Sequence, residues 1–271
     1  MIEVLTYTFM QRALVAGVLI GVVCAVIGVY VVLRGMSFIG AGIAHASFGG
    51  VALGFLLGIN PVISAITFCL AVAWGIAWIS RSGRIKEDTA VGIFFASTMA
   101  LGILVLGLME GYNVDLFSYL FGSILAITRE DVWLTVGLSA LVLTLVGLFF
   151  KELLFITFDP ETAQVLGLPV NFLHFLLVTL IALTVVIALK VVGIILVSAL
   201  IVTPAAAAWQ LTDRFGRMMI LAALFGIVST VGGLLLSYAL NTASGATIVL
   251  LSTTLFFLAL FLSPKRRLAW K

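Results

Sequence analysis

Charge is scarce in this chain: Asp, Glu, Lys and Arg together make up 9% of its 271 residues, while 63% are hydrophobic. A soluble domain carries roughly a quarter charged residues, so a water-facing globule is excluded and an integral membrane protein remains. Cysteine is almost absent. Cys24 and Cys69 sit singly in apolar runs, which excludes a disulfide framework and a Cys-rich metal site and reads as packing. Histidine occurs twice, at positions 45 and 174, and neither HExxH nor GxSxG occurs, so an intramembrane protease lacks its constellation. No GxxxxGK[ST] run is present either. The chain therefore does not hydrolyse ATP, and energy for any pumping must come from a partner. An ion-coupled secondary transporter would need ionisable groups within its spans, and apart from the two histidines these are nearly missing. No internal repeat supports an inverted-repeat transporter.

Long apolar runs are what the chain does have. About 20 residues cross a hydrocarbon core of about 30 Å as a helix. Nine runs meet that requirement: 13–33, 38–57, 62–80, 89–109, 132–150, 171–189, 191–210, 218–240 and 245–263. The expected fold is thus an all-α polytopic membrane protein of about nine transmembrane helices, one permease domain over 1–271. The apolar stretch 171–210 would make a single helix near 60 Å long (about 1.5 Å per residue), so it must fold back, and Lys190 is the expected outer turn. The residues before the first span, MIEVLTYTFMQR, lack a basic start and a small-residue cleavage site, so that span is expected to be retained.

Basic residues set orientation, because Lys and Arg near span ends favour the cytoplasm. One orientation puts Arg34, Arg81, Arg84, Lys86, Lys151, Arg214, Arg217, Lys265, Arg266, Arg267 and Lys271 inside, and only Arg12, Arg129 and Lys190 outside. The N terminus is then outside, the C terminus is cytoplasmic, and the net charge of +3 reports topology rather than affinity for nucleic acid. Two gaps interrupt the spans. Residues 110–131 are half apolar, too short to cross, and are expected to lie at the outer interface or to re-enter the membrane against protein. Residues 151–170 form a polar cytoplasmic insert.

In that insert, Asp159 can cap a helix with Pro160 at its first position, and Glu161, Ala163 and Gly167 follow on a Glu-x-Ala-x-x-x-Gly spacing. An ordinary capped loop helix is the plainer alternative. The spacing resembles the coupling loop of ABC importer permeases, which presses a short helix into a cleft on a separate ATPase subunit. In the second span, Gly40, Gly42, Gly49, Gly50 and Gly54 let neighbouring backbones approach, so this helix is expected to be buried in the bundle. It carries His45. An ionisable group there faces a bundle interior or a wet path, and neutral imidazole is a common ligand for zinc and similar metals, although a satisfied packing histidine fits the same position.

Taken together, VVLRGMSFIGAGIAHASFGGVALG, VDLFSYLFGSILAITRED, FDPETAQVLGL, KVVGIILVSALIVTPAAAA and TASGATIVLL resemble the permease family of ABC importers for zinc, manganese and iron, in the family's order. The SYLFG segment is most similar to the zinc-type members. The resemblance implies two permease copies, two copies of a cytoplasmic ATPase and an extracytoplasmic metal-binding protein in a bacterial cytoplasmic membrane. It implies import of a divalent transition metal by alternating access, zinc before manganese or iron. No permanently bound cofactor is expected; the metal is cargo. Many relatives have an aspartate four residues before the histidine of the second span, where this chain has Ala41. His45 is accordingly the lead metal ligand, with Ser47, Asp115, Tyr119 and Asp131 as secondary candidates for which packing or solvation is the plainer reading. Ser198, Thr203 and Pro204 mark a section that either lines the path or only kinks its helix, since proline removes a backbone donor. His174, close behind the coupling loop, reads as packing or hydrogen bonding at the cytoplasmic interface. A permease for another substrate, such as a metal chelate, and an ion-coupled transporter are the alternatives.

Overall fold

The computed structural model describes residues 7–83, 85–109, 122 and 127–267. Among them the chain is helical: α1 Thr8–Leu33, α2 Ile39–Leu57, α3 Pro61–Arg81, α4 Glu87–Gly107, α5 Arg129–Leu148, α6 Phe150–Phe158, α7 Pro160–Val165, α8 Val170–Val192, α9 Ile194–Leu211, α10 Phe215–Leu240 and α11 Ser244–Leu262, with a short 3-10 turn at Pro264–Arg267. Eight of these, α1 to α5 without exception and then α8, α10 and α11, are long and apolar enough to cross a membrane. The ninth expected span is α9, whose 18 residues reach about 27 Å.

Burial sorts the helices into an inside and an outside. α1, α2 and α8 are enclosed for most of their length, while α4, α5, α10 and α11 keep most of their apolar surface uncovered. Glycines explain how the inner helices fit. A Cβ on Gly21 of α1 would lie 2.7 Å from the carbonyl oxygen of Gly226 on α10, and one on Gly28 would strike the carbonyl of Ile201 on α9. In α2, a Cβ at Gly50 or Gly54 would crowd the Cα of Ala65 or Pro61 on α3, and at Gly42 or Gly49 it would press on Val91 or the Thr98 carbonyl of α4. α2 is therefore held within the bundle by backbone contact on two sides, as its glycine content predicts. Both cysteines are free and buried, and the Cys69 thiol faces the Ile43 carbonyl at 3.6 Å.

Two boundaries differ from the sequence expectation. The 171–210 stretch does not turn at Lys190. α8 continues through it to Val192, and the break falls at Gly193, whose φ of 87° and ψ of 156° suit glycine alone. The chain folds back as expected, three residues beyond Lys190 and without a polar loop, at the glycine that also interrupts the apolar stretch. The 151–170 insert carries a second helix besides the capped one expected at Pro160. The span before it stops at Leu148, and after Phe149 a separate helix, α6, buries Leu153 and Ile156 while exposing Phe158. Of the 110–131 segment, expected at the interface or re-entrant, only Gly122 and 127–131 are among the described residues.

One end of the bundle collects the ends of α1, α3 and α9, the starts of α4, α8 and α10, and all of α6 and α7. Phe215 at the start of α10 meets the rings of Tyr30, Phe150 and Phe158 at centroid distances of 5.4, 5.6 and 6.4 Å. The terminal turn is tied back there as well, by Lys265 Nζ to Asp213 Oδ1 at 2.7 Å and by Ser263 Oγ donating to the Gln210 carbonyl.

Candidate functional site

From Ile39 to Ala52 of α2 every residue is buried except Ala41 and His45. These two lie one turn apart on the same face, so the helix opens along one narrow stripe, and the imidazole occupies it. His45 Nδ1 sits 2.9 Å from the Ala41 carbonyl oxygen. A carbonyl can only accept, so Nδ1 carries the proton and Nε2 keeps its lone pair. Fixing one nitrogen through a backbone carbonyl is how metal-binding imidazoles are oriented. Phe95 of α4 bounds the other side, its ring centroid 4.4 Å from that of His45 at an interplanar angle of 51°. Sequence reasoning missed Phe95, because nothing in α4 marks one phenylalanine among several as the one that meets α2.

The secondary candidates do not gather around this imidazole. Ser47 is fully buried and its hydroxyl donates to the Ala44 carbonyl on the preceding turn. Asp131 closes the N-terminus of α5: its Oδ2 accepts from Thr128 N at 2.9 Å and from Thr128 Oγ1 at 2.7 Å, while Asp131 N donates back to Thr128 Oγ1. That is a capping box, and it occupies the carboxylate structurally. Asp115 and Tyr119 lie outside the described residues. No group of three or more His, Cys, Asp or Glu side chains is brought together among the described residues.

Pro204 lies inside α9 without ending it, and the helix runs unbroken from Ile194 to Leu211. Pro204 is buried, while Thr203 and Ser198 are half-buried. Gly40, next to Ala41, lies 3.5 Å from Ile201 and 3.9 Å from the Ser198 backbone when given a Cβ. α9 thus backs the start of α2 one turn before His45.

At the gathered end, α7 is built as the sequence predicts. Asp159 caps it, Oδ1 accepting from Thr162 N at 2.9 Å and Oδ2 from Thr162 Oγ1 at 2.6 Å, with Pro160 in the first turn. These bonds hold the Asp159 carboxyl below the usual carboxylate range. Gly167, at φ +82°, terminates the helix: its N–H donates to the Gln164 carbonyl and Leu168 N–H to the Ala163 carbonyl, the paired pattern of a glycine-ended helix. Ala163 is fully buried and anchors the helix. Glu161 and Gly167 face outward, beside Val165 at 85% exposure and Leu166 at 66%. A shallow groove of Gln164, Leu168, Pro169, Val170, Asn171 and Phe172 runs alongside. His174 is buried just beyond and accepts a hydrogen bond from Arg34 Nη2 at 3.3 Å.

Comparison with known proteins follows the same outline. Residues 6–263 match the ABC 3 transport family. The manganese transport system membrane protein MntC of Halalkalibacterium halodurans is 44% identical over 264 residues, spanning 97% of this chain and 90% of the relative. The manganese import system permease protein ScaB of Streptococcus gordonii is 43% identical over 261 residues, spanning 96% of this chain and 94% of the relative. PsaBC from Streptococcus pneumoniae in complex with Fab superposes with a TM-score of 0.88 at 41% identity, covering 98% of this chain and 96% of that one. The zinc-type likeness drawn from SYLFG finds no support in MntC and ScaB, whose names carry manganese. An inward-facing ABC transporter of the metal-chelate type, 15% identical with a TM-score of 0.73, shares the fold. Matched along almost its whole length, this chain belongs to the ABC 3 transport family, as a multi-pass membrane permease subunit and not an enzyme, with ATP hydrolysis on a separate subunit.

Proposed function

We propose that this permease imports a divalent transition metal ion, that His45 is its principal protein ligand in the membrane, and that the ion passes along the Ala41–His45 stripe. The observation that carries this reading is the imidazole itself: half-buried on the one open stripe of an otherwise enclosed helix, with Nδ1 satisfied and Nε2 presented. Two copies related by a two-fold axis would offer two such imidazoles. Two neutral ligands hold an ion less firmly than the four of a closed structural site, which suits release.

The α7 end is the cytoplasmic one in this reading, placing 11 of the 14 basic residues inside and the N terminus outside. The exposed apolar tip at Val165 and Leu166, beside Glu161 and Gly167, is the dock for the ATPase subunit. An extracytoplasmic metal-binding protein delivers the ion and supplies most of the selectivity.

Manganese is the favoured cargo, on the strength of relatives above 40% identity that are named for manganese transport. A specific observation keeps zinc as the second reading: Ala41 supplies no carboxylate, and an imidazole without a hard oxygen partner ranks zinc above manganese. Uptake of manganese, zinc and iron measured in parallel, in cells with and without this chain, decides between them. Uptake of none of the three, by cells that express the permease and its ATPase, overturns the assignment to metal.

A further inference from the structure

A second polar cluster lies at the α7 end, away from His45. Arg34 caps the C-terminus of α1, and its Nη2 donates to Nδ1 of His174 in the first turns of α8. Arginine can only donate, so Nδ1 of His174 is the bare nitrogen and Nε2 bears the hydrogen. That Nε2–H is buried without a partner, His174 being 4% exposed. Arg34 Nη1 is likewise buried and unmet, and so is Oε1 of Glu87, the first residue of α4. Glu87 lies within electrostatic reach of both Arg34 and Arg81. Arg34, with one unmet donor, thus links His174, with another, through a hydrogen bond, and it lies within electrostatic reach of the unmet acceptor of Glu87. Leaving such groups unpaired inside a protein is costly, and native structures seldom tolerate it without a reason.

The elements involved give the reason. α8 follows α7 after four residues, and Arg81 Nη1 fastens its first residue by donating to the Val170 carbonyl at 3.2 Å. α4 begins at Glu87 and, about 12 Å further along at 1.5 Å per residue, carries the Phe95 ring that rests on His45. Arg34 is bonded to the helix that continues from the exposed tip and lies within electrostatic reach of the first residue of the helix that covers the imidazole.

We propose that Arg34, His174 and Glu87 are positioning residues of a relay from α7–α8 to α4: in the other transport state Glu87 closes onto Arg34 Nη1 and His174 Nε2–H, and α4 carries Phe95 with it. The effect on access to His45 rests on the functional reading above; the closure itself does not. A cation site here is a poorer account, because the Arg34 guanidinium already donates to His174 Nδ1, the nitrogen a metal ion would need, and its charge repels one.

The test uses the permease assembled with its ATPase in proteoliposomes. With Glu87→Cys and His174→Cys combined, disulfide yield is expected to differ by about fivefold or more between nucleotide-free and ATP-bound states, the scale of a typical coupling between sites. Equal yield in both states, or none in either, overturns the relay. Glu87→Gln supplies an independent measure. Metal ions moved per ATP should fall by about fivefold or more, while ATP hydrolysis and metal affinity of the solubilised permease persist. Parallel loss of assembly, hydrolysis and transport would mark a packing role and also overturn it. The crosslink needs no metal, so a failure of His45 as a ligand, read by metal binding to His45→Ala, is seen separately.

Discussion

His45 gives its Nδ1 proton to the carbonyl oxygen of Ala41, 2.9 Å away and one turn back on the same helix. The bond uses the backbone, so it does not depend on the side chain at position 41. A carboxylate there would stand on the same face as the imidazole, so under the function proposed above His45 carries a larger share of coordination with alanine at 41 than with aspartate.

The first prediction follows from that share. His45→Ala should lower metal uptake by more than the roughly 10–100-fold typical of losing only a supporting group, with membrane expression unchanged. His45→Asn should not restore it, because an amide oxygen is a poorer ligand than imidazole for such metals. Ala41→Asp should tighten metal binding to the solubilised permease, measured by titration calorimetry, and slow release into vesicles. Full uptake by well-expressed His45→Ala would reduce the residue to packing.

Much of this fold is legible in the sequence because each span is a run of apolar residues matched to membrane thickness, and because Asp159, Pro160 and Gly167 sit where helix ends require them. What is hidden has a common physical cause. That the 171–210 stretch folds back is legible from its length, but the residue at which it reverses, Gly193, is set by one backbone torsion rather than by the charge at Lys190. α6 reads as part of the polar insert 151–170 because Lys151 and Glu152 open it, and the burial of Leu153 and Ile156 depends on neighbours that no local pattern names. Phe95 on His45 and Arg34 on His174 are contacts between distant segments, and no local pattern encodes them. Cargo identity is fainter still, because one imidazole fits several metals.

Topology is tested by labelling. Ser244, a natural site by sequence, is only 8% exposed, whereas Ala243 just before it is open, and Ser82 is open at the opposite end of the bundle. Ser82→Cys should react with a membrane-impermeant maleimide only after the cytoplasmic side is opened, and Ala243→Cys should react in intact cells. Labelling of both from one side would break the arrangement of nine spans.

Close approach of α1 and α10 at Gly21 and Gly226 is a packing prediction. A Cβ at position 226 would meet the Gly21 carbonyl, and backbone cannot step aside as a flexible side chain can. Gly226→Ala should cost about 1–3 kcal/mol, the usual range for overpacking, seen as a lower melting temperature in detergent. Gly137→Ala is the control, since nothing lies within 4 Å of its added carbon. It should be neutral or stabilising by up to about 1 kcal/mol.

The Asp159 cap predicts a pH effect of definite sign. Its folded-state carboxyl titrates below the ordinary aspartate value because Thr162 donates two hydrogen bonds to the ionised form. A depressed carboxylate contributes stability that is complete above the unfolded-state value, near about 3.9, and is lost as pH falls through the folded-state value. The protection factors of the α7 amides, exchange rates taken relative to the intrinsic rate at each pH, should therefore be constant near neutrality and fall in acid. In Asp159→Asn that acid-dependent opening should vanish.

Gly167 distinguishes a docking surface from an ordinary helix end. Its φ of +82° strains any L side chain, while the space around it is open, with nothing within 4 Å of an added Cβ. Substitution thus costs backbone energy, about 1–2 kcal/mol for a left-handed residue, and adds a protrusion beside Val165 and Leu166. Asparagine tolerates this conformation far better than most residues, so Gly167→Asn should keep both the helix end and coupling. Gly167→Arg should insert and fold, yet lose ATPase association or transport-linked hydrolysis, because a long basic side chain now stands in the contact face. Full stoichiometry and coupled hydrolysis in purified Gly167→Arg would leave α7 a capped helix with no part in docking. Equal damage from both substitutions would place the effect in the helix end, and only the arginine-specific loss assigns it to the surface.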